Sequence, residues 1–262
     1  MTILFDRFFD DAAIFPPGNA AMDDAVRAHV AAMGSPLARH VGPFVCSASR
    51  LTALGDAMAT TNVGGLDLAL VTPAGSAAAA IAAVHDDSRL RLRAVEISET
   101  QPDDPLPTVP EGTLLLVERP AEAPFDLRPD VSLKLRTGGE TADAFPDENR
   151  LASALAGALE QDLRFKLTAG LHQAVRHTDP ATGFEHHGFL NVVIAVHAAL
   201  SGSGDLAACL AERDASVVAA AVAGLDEAAR GAVRSRFLSF GTCSIAEPVD
   251  DLRALGLLED AA

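Results

Sequence analysis

Short runs rich in large apolar and β-branched residues alternate with alanine-rich stretches from one end of the chain to the other, and this alternation constrains the fold more than any other feature. Eight runs read as strands: Ala12–Phe15, Val41–Cys46, Leu66–Thr72, Leu90–Ile97, Thr113–Glu118, Val131–Arg136, Arg164–Thr168 and Phe237–Phe240. Helix candidates lie between most of them, among them Met22–Met33, Ser49–Ala59, Ser76–His85 and Glu148–Glu160. Strands that are apolar on both faces, each followed by a helix, belong to a parallel sheet covered by helices. Eight such units favour closure, so the pattern predicts an α/β fold, a single (β/α)8 TIM barrel spanning residues 1–262.

The rhythm breaks in two places. Between Glu99 and Glu111 four prolines and four acidic residues replace the helix expected after the fourth strand, so a loop or one short turn should stand there. After the seventh strand a polar insert runs from Gly170 to Gly188 before apolar helical sequence resumes at Phe189. The first run is the shortest and ends in the turn signal Pro16-Pro17-Gly18-Asn19. Were it no strand, the barrel would be seven-stranded or open. Asp10 and Asp11 precede it and read first as helix-starting or surface carboxylates, away from the chemical end of the barrel, with active-site carboxylates as the alternative.

Charge and composition remove several function classes. The formal net charge is −16 and no cluster of basic residues interrupts it, which argues against nucleic acid and anionic membrane surfaces as partners. With no Trp and no Tyr, the chain has no tyrosine acid and no indole platform. Cys46, Cys209 and Cys243 are odd in number and far apart; they read as small buried hydrophobes in a reducing compartment, without zinc-ligand spacing. No apolar stretch approaches the ~18 residues of a membrane span, and the N-terminus lacks a signal-peptide pattern, so a cytoplasmic location is expected.

Chemistry points to two lysines. Val131-Ser132-Leu133-Lys134-Leu135-Arg136-Thr137-Gly138-Gly139 and Arg164-Phe165-Lys166-Leu167-Thr168-Ala169-Gly170 each carry a glycine four residues after a lysine. Alternate side chains of a strand share a face, so Ser132, Lys134 and Arg136 should point into the barrel while Leu133 and Leu135 meet the helices. Arg164, Lys166 and Thr168 follow the same rule. Neighbouring strands lie about 4.8 Å apart, so desolvation and like charge would together bring one amine well below its usual value of about 10.4. Interior carboxylates could instead neutralise both lysines in a structural ion network, with Glu96 and Glu118 as the candidates.

Three short motifs in this order resemble deoxyribose-phosphate aldolase. Lys134-Leu135-Arg136-Thr137-Gly138 is similar to the family's sixth-strand K-T-S-T-G, and Lys166-Leu167-Thr168-Ala169-Gly170 to its seventh-strand K-A-S-G-G. Phe240-Gly241-Thr242-Cys243-Ser244 is similar to its eighth-strand phosphate-binding turn. The resemblance covers about a tenth of the chain. It implies a class I aldolase-type lyase in which Lys134 forms the Schiff base and Lys166 is the cation that keeps Lys134 neutral. Glu118, in Val117-Glu118-Arg119, falls at the family's I-E-T, and Glu96 at the approximate place of its proton-transfer acid, although its neighbours do not match. Arg136 stands where the family has a small hydroxyl side chain, and its guanidinium suits a carboxylate or phosphate.

Four of the eight histidines, His172, His177, His186 and His187, fall within the insert. It could be a substrate lid supplying His172 or His177 as acid or base, a metal site of no standard spacing, or a polar surface loop. His29, His40, His85 and His197 read as surface or capping residues. The leading expectation is a Schiff-base lyase acting on a small anionic carbonyl metabolite, with no cofactor and no metal. Its catalytic candidates are Lys134, Lys166, Glu96, Glu118 and His172. Substrate would be held by Arg136, Gly138, Gly139, Thr168, Gly170, His177, Asn191, Gly241, Thr242 and Ser244. A barrel that binds an anionic metabolite without turnover, and a metal-assisted hydrolase using the histidine loop, are the alternatives; self-association into a homo-oligomer stays open.

Overall fold

A computed structural model describes residues 2–98, 105–122 and 125–258. Eight parallel strands close into a barrel: β1 (Phe9–Asp11), β2 (Val41–Ser47), β3 (Leu66–Thr72), β4 (Leu90–Ile97), β5 (Leu114–Arg119), β6 (Ser132–Arg136), β7 (Phe165–Thr168) and, last in the chain, β10 (Phe237–Thr242). Consecutive strands are neighbours throughout, and β1 closes the ring by pairing with both β2 and β10. This is the (β/α)8 TIM barrel that the alternating pattern predicts.

The first strand is not where the sequence suggests. Ala12–Phe15 forms a turn, and the strand is Phe9–Asp11, one step earlier and three residues long. Its two aspartates hid it, because acidic residues are depleted in strands. Both are buried. Asp10 points into the barrel, whereas Asp11 points outward and accepts a hydrogen bond from His29 Nδ1 at 2.9 Å, in α1 (Met22–Met33). His29 and His40 are therefore buried side chains and not surface ones, His40 meeting the carbonyl of Phe5 at 3.0 Å.

Helices α2 (Leu51–Thr60), α3 (Ala77–Asp86) and α4 (Glu148–Glu160) follow β2, β3 and β6 where the sequence places them. In α4, Asp147 caps the first turn by accepting from the Arg150 amide at 2.8 Å, and Leu151, Ala154, Leu155 and Ala158 recur at helical spacing on the buried face. Residues 105–110, after β4, have no regular structure; Glu99 to Asp104 lie outside the described residues. Four helices follow β7: α5 (Phe189–Ser201), α6 (Leu206–Ala211), α7 (Ala215–Ala223) and α8 (Glu227–Arg236), and α9 (Ala246–Ala254) ends the fold. Asp205, Asp214 and Asp226 accept backbone hydrogen bonds in the first turns of α6, α7 and α8. Behind β1, β7 and β10 the rings of Phe5, Phe8, Phe9, Phe165, Phe189, Phe237 and Phe240 pack edge-on or stacked with centroids 4.8 to 6.5 Å apart. Among the described residues no helix is long and apolar enough to cross a membrane.

The repeated lysine-to-glycine spacing has a backbone cause. Lys134 pairs in register with Lys166, which carries Gly138 to Gly170 four residues later. A Cβ on Gly138 would lie 2.8 Å from the Gly170 Cα, and one on Gly170 would lie 2.6 Å from the Thr137 carbonyl oxygen. Gly170 also has φ +75, a conformation in which a side chain costs roughly 1–2 kcal/mol. Gly183 has the same backbone demand, φ +73, in open space. Gly183→Ala should therefore cost about 1 kcal/mol, and Gly170→Ala a further ~1–3 kcal/mol for overpacking. Urea unfolding of the two variants checks this; equal midpoints would show that the strand ends are free to separate.

Candidate active site

Lys134 and Lys166 occupy the middle of β6 and β7 and point inward, 4 % and 2 % exposed. The carboxyl ends of the two strands are held by Arg136 and Thr168, two residues on. Nor do the two ammonium groups face each other alone. Glu96 of β4 stands between them, its Oε2 2.9 Å from Lys134 Nζ and its Oε1 2.5 Å from Lys166 Nζ. Lys166 also contacts Asp10 Oδ2 at 2.6 Å, and Ser239 Oγ of β10 donates to that same oxygen at 2.8 Å. On the other flank Lys134 Nζ lies 3.1 Å from Glu118 Oε2, while Glu118 Oε1 accepts from Arg136 Nε at 2.9 Å.

The result is one chain of alternating charge through the barrel: Arg136, Glu118, Lys134, Glu96, Lys166, Asp10. Burial alone would raise the Glu96 pKa, but Lys134 and Lys166 outweigh burial and hold it down at about 2. For Lys166 burial pulls the other way, and Asp10 and Glu96 overcome it, so its pKa is pushed up. Of the two amines, Lys166 is therefore not the one that is brought low. Asp10 is raised, because burial there outweighs the pull of Lys166. Gly42 of β2 makes room for Asp10, since a Cβ at that position would collide with Asp10 Oδ1.

The six-membered chain leaves one atom unsatisfied. Glu118 Oε2 is buried and makes no hydrogen bond; its approach to Lys134 is close but off the donor line. It is the oxygen of the network that stands beside the Lys134 ammonium, at 3.1 Å, with no hydrogen bond committed to it. From below, a cavity of about 490 Å³ reaches Asp10, Lys166 and Ser239. Its lining includes Arg7, Arg93 and Leu114, so it opens at the amino-terminal end of the strands, opposite the end where barrel chemistry is expected.

The other residues singled out in the sequence fall into separate groups. Thr242 Oγ1 donates to the Ser244 carbonyl at 2.9 Å, and Ser244 Oγ accepts from the Glu247 amide at 3.3 Å, so the turn after β10 leads directly into α9. Gly241 lies beside Thr168, whose Oγ1 would be 3.7 Å from a Cβ there. Gly139 packs against Ala144, where a Cβ would come within 2.7 Å. Asn191 is buried and spends its amide on backbone: Nδ2 donates to the carbonyls of Cys209 and Glu212 at 2.8 Å each, and Oδ1 accepts from the Arg176 amide at 2.9 Å. It ties the insert to the helices below.

Within the insert, β8 (His177–Thr178) and β9 (Glu185–His186) form a two-stranded antiparallel hairpin, with the His177 and His186 rings 5.2 Å apart. His187 is buried and meets the Pro146 carbonyl at 2.8 Å. His172 lies outside the hairpin, at the carboxyl end of the barrel beside Cys243, with its pKa lowered by burial and then by His177. Of the cysteines only Cys46 is buried, with its thiol pushed up to about 12 by burial; Cys209 and Cys243 are half-buried.

Sequence reading missed Asp10, because it misplaced the strand that carries it. It also passed over a plain count: Lys134 and Lys166 are the only lysines in the chain, and all other Lys or Arg positions are arginine. Compared with protein-family models, curated proteins and solved structures, the chain matches none.

Glu96 is the carboxylate both lysines share, so Glu96→Leu should cost about 3–5 kcal/mol, the usual penalty for leaving buried charge unpaired. Pairing it with Lys134→Met should recover part of that loss, because the second change removes a stranded cation. The folded pKa of Glu96, about 2, lies below its ordinary 4.5, so its contribution is fully present above about 4.5 and is lost as pH falls toward 2. Urea unfolding across that acid window should show a limb that Glu96→Gln removes; an unchanged limb would assign acid sensitivity to other groups.

Proposed function

We propose that this barrel is a Schiff-base-forming lyase acting on a small anionic carbonyl compound, with Lys134 as the nucleophile. One observation carries the reading: a chain that uses arginine at every other strongly basic position keeps its only two lysines side by side in the barrel interior, on a shared glutamate. Arginine is the usual choice for a buried ion pair, since its planar fork bonds a carboxylate in two places and never loses its proton. Lysine adds what arginine lacks, an amine that becomes a nucleophile once deprotonated.

The two lysines then divide the work. Lys166, gripped by Asp10 and Glu96 and with its pKa pushed up, stays an ammonium. Lys134 gives its proton to Glu118 Oε2, adds through the freed lone pair to the substrate carbonyl carbon, and expels water to leave an iminium. Glu118 returns its proton to the departing oxygen, which leaves as water. It then takes the proton of a hydroxyl on the far carbon of the bond to be cut, so that carbon departs as a carbonyl while the bond's electron pair flows into the iminium to give an enamine, with Glu96 and Lys166 supplying a fixed field around it. Protonation of the enamine by Glu118 and hydrolysis by water release the second product and Lys134. Arg136, half-exposed and two residues toward the carboxyl end, is suited to the anionic end of the substrate.

A second reading draws on the charge balance of the same network. Two ammonium groups against Asp10 and Glu96 make a closed interior set, and such a set serves a non-catalytic binding barrel equally well. Borohydride separates the two. With a panel of small anionic aldehydes and ketones, peptide mapping should find the reduced adduct on Lys134, and Lys134→Ala should abolish it. Glu118→Gln should slow trapping by about 10²–10⁴-fold, the usual worth of a positioned general base. With no surface lysine in the chain, the N-terminal amine is the internal reference. Adduct confined to that amine across the panel, or found on Lys166, would overturn the lyase reading, and the first result would favour the binding barrel.

A further inference from the structure

Apart from the lysine network, three side chains from separate segments meet at the carboxyl end of the barrel. His172 lies in the segment after β7, Cys243 directly follows β10, and Glu247 is in the first turn of α9. Their ligand atoms all lie within 4.8 Å of one another. Among the described residues they are the one group of three or more His, Cys, Asp or Glu side chains that could hold a metal in this way.

The pattern of approach decides what such a trio can do. Cys243 Sγ is 3.4 Å from His172 Nδ1, and Glu247 Oε2 is 3.9 Å from the same nitrogen. A thiol–imidazole–carboxylate relay needs the thiol on one ring nitrogen and the carboxylate on the other, so that the ring passes a proton between them. Here both converge on Nδ1, and a relay has no path. Three lone-pair donors around one point suit a shared cation instead. Zinc–sulfur and zinc–nitrogen bonds of about 2.3 and 2.0–2.1 Å at a tetrahedral angle put sulfur and nitrogen roughly 3.5 Å apart. The 3.4 Å found between Cys243 and His172 meets that requirement, and Glu247, the most exposed of the three, has to close by about half an ångström on the His172 nitrogen. Gly18, in the loop after β1, backs the cysteine: a Cβ there would lie 2.8 Å from the Cys243 Cβ.

We infer that His172 Nδ1, Cys243 Sγ and a Glu247 carboxylate oxygen form a binding site for a zinc-class divalent ion, with a fourth position left to solvent or substrate. Thiolate and imidazole favour zinc, cobalt or nickel over magnesium and calcium, which take oxygen ligands. Binding exchanges the Cys243 S–H bond for a metal–sulfur bond and releases the proton to solvent. Three protein ligands with one position free is the ligand count of catalytic rather than structural zinc sites. The inference stands independently of the chemistry proposed for Lys134.

The test uses the full chain stripped with chelator, reloaded with Zn²⁺ or Co²⁺ and dialysed. One zinc should be retained per chain, and the cobalt form should show a thiolate-to-cobalt charge-transfer band. Cys243→Ser should remove that band, and His172→Ala or Glu247→Gln should weaken retention by at least the ~10–100-fold that loss of a supporting contact costs. Cys46→Ser and Cys209→Ser should leave band and retention unchanged. Circular dichroism of each metal-free variant separates a lost ligand from a lost fold, and the wild-type spectrum decides the matter if a variant misfolds. No zinc retained by the folded wild-type chain, cobalt bound without a sulfur band, or a band that survives Cys243→Ser would each overturn the inference.

Discussion

Glu96 is the residue on which the barrel interior depends. Lys134 and Lys166 stand in register on adjacent parallel strands, so the backbone ladder alone brings two ammonium groups together in a buried space. Each buried charge costs several kcal/mol of lost hydration unless it is paired and hydrogen-bonded. Glu96 reaches both, one oxygen to each, from a strand that borders neither β6 nor β7. The same two contacts therefore balance charge and tie β4 to the far side of the ring. Asp10 and Glu118 then complete the pairing at the two ends, and the order of the strands, β1, β10, β7, β6, β5, β4, becomes the order in which polar groups line the interior. Val45, Ala69, Ala94 and Leu116, contributed in turn by β2, β3, β4 and β5, pack together as a separate apolar cluster.

That division explains why the site could be read only in part from the sequence. The fold was legible because parallel strands buried on both faces leave near-continuous apolar runs, and seven of the eight runs lie where the strands are. The lysine pair was legible from its spacing, and Glu96 and Glu118 were visible as acids on the strands that end up facing them. Asp10 was not. A strand of three residues, two of them aspartate, carries no periodic signal, and the apolar residues that follow it drew the assignment one step too far. What the sequence did not show is why Lys166 stays protonated, since one of the two carboxylates that hold its pKa up is the residue that had been placed outside the barrel. Cys243 and Glu247 stand far in sequence from His172, and no spacing rule joins residues that only barrel closure brings together.

Glycines show how a motif can be right in position and carry a different meaning. The two glycines four residues after the lysines drew notice as parts of two lysine motifs, and both stand two residues beyond the ends of β6 and β7. Their immediate cause is steric: two strands in register leave the barrel at one level, and the chains pass so close that neither position tolerates a Cβ. A ligand role for Gly138 or Gly170 would be added to this constraint and could not replace it.

Short strand β1 then emerges as the junction of the molecule. It closes the ring between β10 and β2, so the barrel exists as a barrel through three residues. Of these, Asp10 turns inward to Lys166 and Ser239, whereas Asp11 turns outward to His29 and fastens α1. The loop that leaves it returns Gly18 to the back of Cys243. One segment thus supports both the ionic centre and the His172–Cys243–Glu247 cluster at the rim. Its polar character, which concealed it as a strand, is what those duties require: an apolar strand here would close the barrel but leave Lys166 with a single counter-ion and α1 without its buried hydrogen bond.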